Sequence, residues 1–165
     1  MFHDSRLTIH ELPVSIATGN RDVEVMFIQD RNESRGFFVE VWRKYQAGEG
    51  LEPLERLLLG VMLEHPEYHA LLADTDTALG AEYIPEGGLD NPFLHMGMHI
   101  ALREQVGADR PAGITAVYRR LLSRYDDGHA LEHAMMECLG EALWSAQRRE
   151  LPPDETAYMD CLKKL

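Results

Sequence analysis

At 165 residues the chain is long enough for a single domain with a sizeable core, and its formal net charge of −12, with no basic stripe, argues against nucleic-acid binding. No apolar run approaches membrane-spanning length, and Asp4, His10, Glu11 and Pro13 interrupt any apolar core that a secretory signal would need. Cys138 and Cys161 are too few for a disulfide framework and read as reduced thiols, which makes the cytoplasm the expected location.

Residues 1–25 show no helical period and carry Pro13 and Gly19-Asn20. They are expected to form a poorly ordered extension, because Met26-Phe27-Ile28 reads like a natural beginning. Residues 26–165 are expected to be one helical domain, since this part is rich in Leu, Ala, Glu, Met and Arg and poor in β-branched residues.

Asn32-Glu33-Ser34 looks like the cap of a first helix, with Phe38, Val41, Trp42 and Tyr45 at helical spacing and Gly48-Glu49-Gly50 as its stop. Pro53 suits the first position of a second helix, whose apolar face is Leu54, Leu57, Leu58, Val61 and Met62. Pro66 must end that helix, because it pushes residue 65 out of α geometry. Residues 74–91, with Gly80, Pro85 and Gly87-Gly88, read as a long loop of the kind that often forms a lid.

Asn91-Pro92 announces the next helix, to about Val106. Another helix follows Asp109-Arg110-Pro111, and Asp126-Asp127-Gly128 leads into a central helix running to about Arg149. A short last helix follows Pro152-Pro153-Asp154. The expected architecture is an all-α bundle of about four main helices with short additional helices.

Chemistry concentrates in the histidines. His65 and His69, His95 and His99, and His129 and His133 form three pairs at a spacing of four, which on a helix places both rings on one face. Glu137 extends the last pair by a further turn, and Gly140 and Trp144 continue that face. From His129 to Glu137 the helix rises roughly 12 Å, too far for three ligands on one ion, so either two ions share the set or only part of it binds.

Neutral imidazole is the commonest protein ligand for first-row transition metals, and helices present such ligands well at this spacing. The alternative is a hydrogen-bonded histidine seam without metal. Glu64, Glu67 and Glu132 read as solvated, Glu104 as a supporting or surface group, and Met96, Met98, Met135, Met136, Trp42 and Trp144 as packing residues. Cys138 reads as an inert buried thiol, and no nucleophile elbow, phosphate loop or His-Glu-x-x-His motif occurs.

Several longer motifs carry a resemblance. They are Phe37-Phe38 with Trp42-Arg43-Lys44, Leu51-Glu52-Pro53-Leu54-Glu55, Glu64-His65-Pro66-Glu67-Tyr68-His69, Asn91-Pro92-Phe93-Leu94-His95-Met96-Gly97-Met98-His99, and His133-Ala134-Met135-Met136-Glu137-Cys138-Leu139 with Trp144. Over about residues 26–160 the chain resembles domain-of-unknown-function family 1841, a bacterial family of small cytoplasmic proteins, and that resemblance implies no particular activity. A looser similarity is to hemerythrin-like bundles, whose His-x3-Glu, His-x3-His and His-x4-acid elements are echoed by His133 to Glu137, His95 to His99 and His99 to Glu104, although in a different order along the chain. Single-metal bundles of the DinB type, with three histidine ligands, are a further analogue.

The expectation is therefore a metal-binding bundle with His95, His99, His129 and His133 as leading ligands, His69 and Glu137 next, and His65 last. Iron is expected over zinc, in a dinuclear site acting on or sensing oxygen, peroxide or nitric oxide, with neither a nucleic-acid nor a membrane partner. The competing expectation is a structural or partner-binding protein knitted by zinc or by hydrogen bonds alone.

Overall fold

The computed structural model describes residues 31–80 and 91–165, and all its regular structure is helical. The expected extension at residues 1–25, and residues 81–90 of the expected loop, lie outside the described residues.

Helix α1 (Arg31–Ala47) includes Asn32-Glu33-Ser34 within its span rather than at its cap, and it ends before Gly48, whose φ of +69° favours glycine. Helix α2 (Pro53–Leu63) starts on proline, and Glu55 reaches back to accept the Glu52 backbone N–H at 2.8 Å. Proline at 66 ends it as expected, and a 3-10 turn (Pro66–Tyr68) leads directly into α3 (His69–Ala73). Residues expected to open a loop instead form α4 (Thr75–Gly80), started by Asp74, whose carboxylate accepts from the backbone N–H and the hydroxyl of Thr77.

Helix α5 (Pro92–Ala108) is capped by the Asn91 side chain, which accepts from the N–H groups of Phe93 and Leu94. Asp109 follows in the left-handed region, and its carboxylate accepts from Gly113 and Thr115 to start α6 (Ile114–Leu121). Asp127 caps α7 (Gly128–Arg149) and Asp154 caps α8 (Glu155–Lys164), each accepting a backbone N–H three residues on.

Helix α5 organises the interior because it carries three stripes. Phe93, Met96 and Ile100 join a core with Phe38, Val41 and Trp42 of α1, Leu58, Val61 and Met62 of α2, and Leu72. Met98, Ala101 and Leu102 join a second core with Ile114, Leu121, Leu131, Met135, Leu139, Tyr158 and Leu162. Each fully buried leucine contributes about 1.5–3 kcal/mol relative to leaving it in water. The third stripe, His95, His99 and Arg103, recurs every four residues and lies in the seam between α2 and α7.

Two further sequence expectations are corrected here. Cys138 and Cys161 are not free thiols: α8 folds back on α7 and brings their Cα atoms to 5.8 Å, where they form a disulfide. Trp144 is not a core residue either, being 52% exposed with the Arg148 guanidinium over its ring, and the face it shares with Glu137 opens to solvent. Among the described residues no helix is long and apolar enough to cross a membrane.

Candidate metal centre

Five imidazoles meet in the seam. His65 enters from the junction after α2, His95 and His99 from α5, and His129 and His133 from the first turns of α7. The His65 ring lies 4.7–4.8 Å, centroid to centroid, from those of His95, His99 and His129, and 6.0 Å from that of His133. One nitrogen from each of His65, His99, His129 and His133 can be chosen so that all lie within 4.8 Å of one another.

Hydrogen bonds at the outer nitrogens fix which atoms face inward. The Nδ1–H of His65 donates to the Val61 carbonyl at 2.7 Å, that of His99 to the Glu132 carboxylate at 2.7 Å, and that of His129 to the Glu64 carboxylate at 3.0 Å. A neutral imidazole has a single N–H, so each of these rings presents an Nε2 lone pair. The His99 Nε2 is buried and has no hydrogen-bond partner among the described residues.

His95 sharpens the conflict. Its Nε2 lies 3.0 Å from that of His65 and 3.2 Å from that of His133, and a single N–H can point at only one of them. Lone pairs converging in a half-buried space repel and forgo their solvation, a cost of about 1–3 kcal/mol for each unsatisfied group. A cation would turn that repulsion into coordination. Two imidazoles sharing one ion at bond lengths of about 2.0–2.1 Å stand roughly 3–3.4 Å apart, the separation seen around His95.

Burial and crowding favour the neutral form of His65, His95 and His133. Burial lowers the His65 and His133 pKa values, and neighbouring imidazoles lower them further. For His95 burial and then the surrounding histidines bring the ordinary 6.5 down to about 4. Neutral rings are the form that binds metals.

A polar frame holds the imidazoles from behind. Burial would raise the Glu132 carboxyl, but hydrogen bonds from His99 and Arg103 outweigh it and keep it below the usual carboxylate range. Arg103 Nε lies 3.0 Å from Glu132 Oε1, and its outer nitrogen bridges Glu132 Oε2, at 2.9 Å, and Glu64 Oε2. Carboxylates that take the second N–H of a ligating histidine fix its orientation and raise its basicity.

Of the residues singled out from sequence, His65, His95, His99, His129 and His133 come together and His69 and Glu137 do not. His69 lies on the far side of the 3-10 turn, donating to the Met62 carbonyl at 2.8 Å with its ring 4.4 Å from that of Trp42. Glu137, one turn beyond His133, is exposed. The pair at 65 and 69 is split because Pro66 breaks the helix between its members, which turns His65 into the middle of the cluster instead of its outlier.

Glu132, Glu64 and Arg103 are the residues that spacing alone did not single out. Glu132 was expected in solvent and is buried, and it, not Glu104, is the carboxylate that accepts from His99. A signal was present in His129-Ala130-Leu131-Glu132-His133, the H-x-x-E-H order found in one class of zinc peptidases, whose glutamate is the base. Here Arg103 and His99 engage that carboxylate, so it holds the His99 ring rather than facing an open position.

The arrangement could hold a metal ion on the imidazole nitrogens, with His133 at its solvent-exposed edge. Comparison with curated proteins and with solved structures gives no match, so the hemerythrin-like resemblance remains a likeness of ligand spacing. Residues 30–164, nearly the whole described chain, match the family described as domain of unknown function (DUF1841), and the chain belongs to that family.

Proposed function

We propose that the chain is a metal-binding helical bundle whose imidazole centre takes a first-row transition-metal ion, iron ahead of zinc, and uses it on a small oxidant or gas. The observation that carries the reading is His99: its Nδ1–H is committed to Glu132 while its buried Nε2 has no partner among the described residues and sits among other imidazole rings. Imidazole suits iron as well as zinc, copper and nickel, so the ligand set excludes a calcium or magnesium role more firmly than it selects among these.

When bound, iron with a vacant coordination position would supply reactivity toward oxygen, peroxide or nitric oxide. The chain's own contribution is to hold the rings in fixed orientations, through Val61, Glu132 and Glu64, and to admit small molecules past His133. This reading takes neither nucleic acid nor membrane as partner, and the Cys138–Cys161 disulfide removes the reduced-thiol argument for a cytoplasmic location.

A structural zinc is the second reading, favoured by the number of helices the centre ties together. Metal analysis and visible absorption of untagged protein grown with both iron and zinc separate the two. Iron with a spectrum that changes on adding peroxide or nitric oxide supports the first; spectroscopically silent zinc supports the second. Metal-free protein from that culture would refute both.

A further inference from the structure

Behind the imidazole centre lies a second group of metal-ligating type: Glu64, His129 and Glu132 bring one ligand atom each to within 4.8 Å of one another. We infer that Arg103 is the resident cation of this second position, so that the centre takes a single metal ion and removing the guanidinium opens a second metal site. The inference rests on the metal-binding reading above and assigns its stoichiometry.

The geometry is specific to a cation between two oxygens. The outer nitrogen of Arg103 bonds both Glu132 Oε2, at 2.9 Å, and Glu64 Oε2, while Nε holds Glu132 Oε1 at 3.0 Å. Those same two Oε2 atoms accept from His99 and His129 on their other side. A divalent ion bridging the carboxylates would need the space the guanidinium fills, and its charge would repel the bound metal and Arg103 together. Glu132 is 5% exposed, so the carboxylate cannot be left without a cation at little cost. Arginine stays protonated at any working pH, which makes the occupancy permanent.

Two carboxylates lie near the imidazoles, as a dinuclear site would require, yet they meet the outer nitrogens rather than the inner ones. Arg103, eight residues beyond His95 on the same stripe of α5, accounts for that placement. Its guanidinium lies beside Gly60 of α2, where an added Cβ would stand 3.8 Å from Nη1, an ordinary contact.

The test loads full-length metal-free protein with cobalt(II) as probe and counts ions per chain after removing excess, alongside the cobalt visible spectrum and circular dichroism. One ion for the native chain and for Arg103→Lys, and two for Arg103→Ala, are expected, with Glu64→Gln added to Arg103→Ala returning the count to one. If Arg103→Ala does not fold, Arg103→Met keeps the stem and gives the same reading. Two ions in the native chain would overturn the inference and leave the metal-binding reading standing, as would a single ion in a folded Arg103→Ala or Arg103→Met chain. No ion in the native chain would remove the metal-binding reading itself.

Discussion

His99 and Glu132 form the joint on which the centre turns: the ring, fully buried on α5, donates its Nδ1–H at 2.7 Å to a carboxylate on α7 that Arg103 also holds. Glu132→Gln keeps the shape and removes the charge, and metal affinity is expected to fall about 10–100-fold with little change in helix content. Competition titration against a chelator of known affinity measures it. Unchanged affinity would mean that Glu132 serves folding alone.

The two outlying candidates give a direct contrast. His69→Ala removes a hydrogen bond to Met62 and a ring contact with Trp42, so stability should fall by about 1–2 kcal/mol while metal content stays the same. Glu137→Ala, on an exposed position, should change neither by much. His65→Ala should abolish binding. Metal analysis beside urea unfolding of the three variants distinguishes them.

The metal-free protein should be acid-labile in a defined window. Burial and the rings of His65, His99, His129 and His133 lower His95 from 6.5 to about 4 in the folded chain, so over that range the unfolded chain binds more protons. Stability is therefore full above about pH 6.5 and is lost progressively as pH falls toward 4. The lowered values of His65, His133 and Glu132 act in the same direction. Thermal melts of metal-free protein from pH 7.5 to 4 should show a falling Tm, and His95→Gln should flatten the slope. A Tm that stays level across this range would show that the rings are not held neutral.

Much of the fold could be read from local signals because those signals are short-range. Asn91-Pro92, Asp127 and Asp154 start helices where their side chains can accept the first backbone N–H groups. The same logic made Pro66 a break, yet it could not say that the break would swing His65 inward and His69 outward. Glu132 and Arg103 were hidden for a different reason. A glutamate beside a histidine on a helix looks solvated until the partner helix is in place, and Arg103 lies 29 residues away in sequence. The Cys138–Cys161 bond was missed likewise, because only the return of α8 along α7 brings the two together.

That bond predicts a stability effect separable from the centre. Crosslinking residues 23 apart restricts the unfolded chain, worth about 3 kcal/mol in the loop-entropy account. Reduction or Cys161→Ala should lower urea stability by about that amount and leave metal content intact. Mass spectrometry after alkylation without reductant should find both cysteines unmodified.

Metal analysis of untagged native protein, read beside its His99→Ala variant, tests the central claim most directly. The account predicts bound iron or zinc in the native chain, close to one ion per chain, and none in the variant. A native chain that folds, stays metal-free, and takes up no ion when iron(II) or zinc(II) is supplied would contradict it.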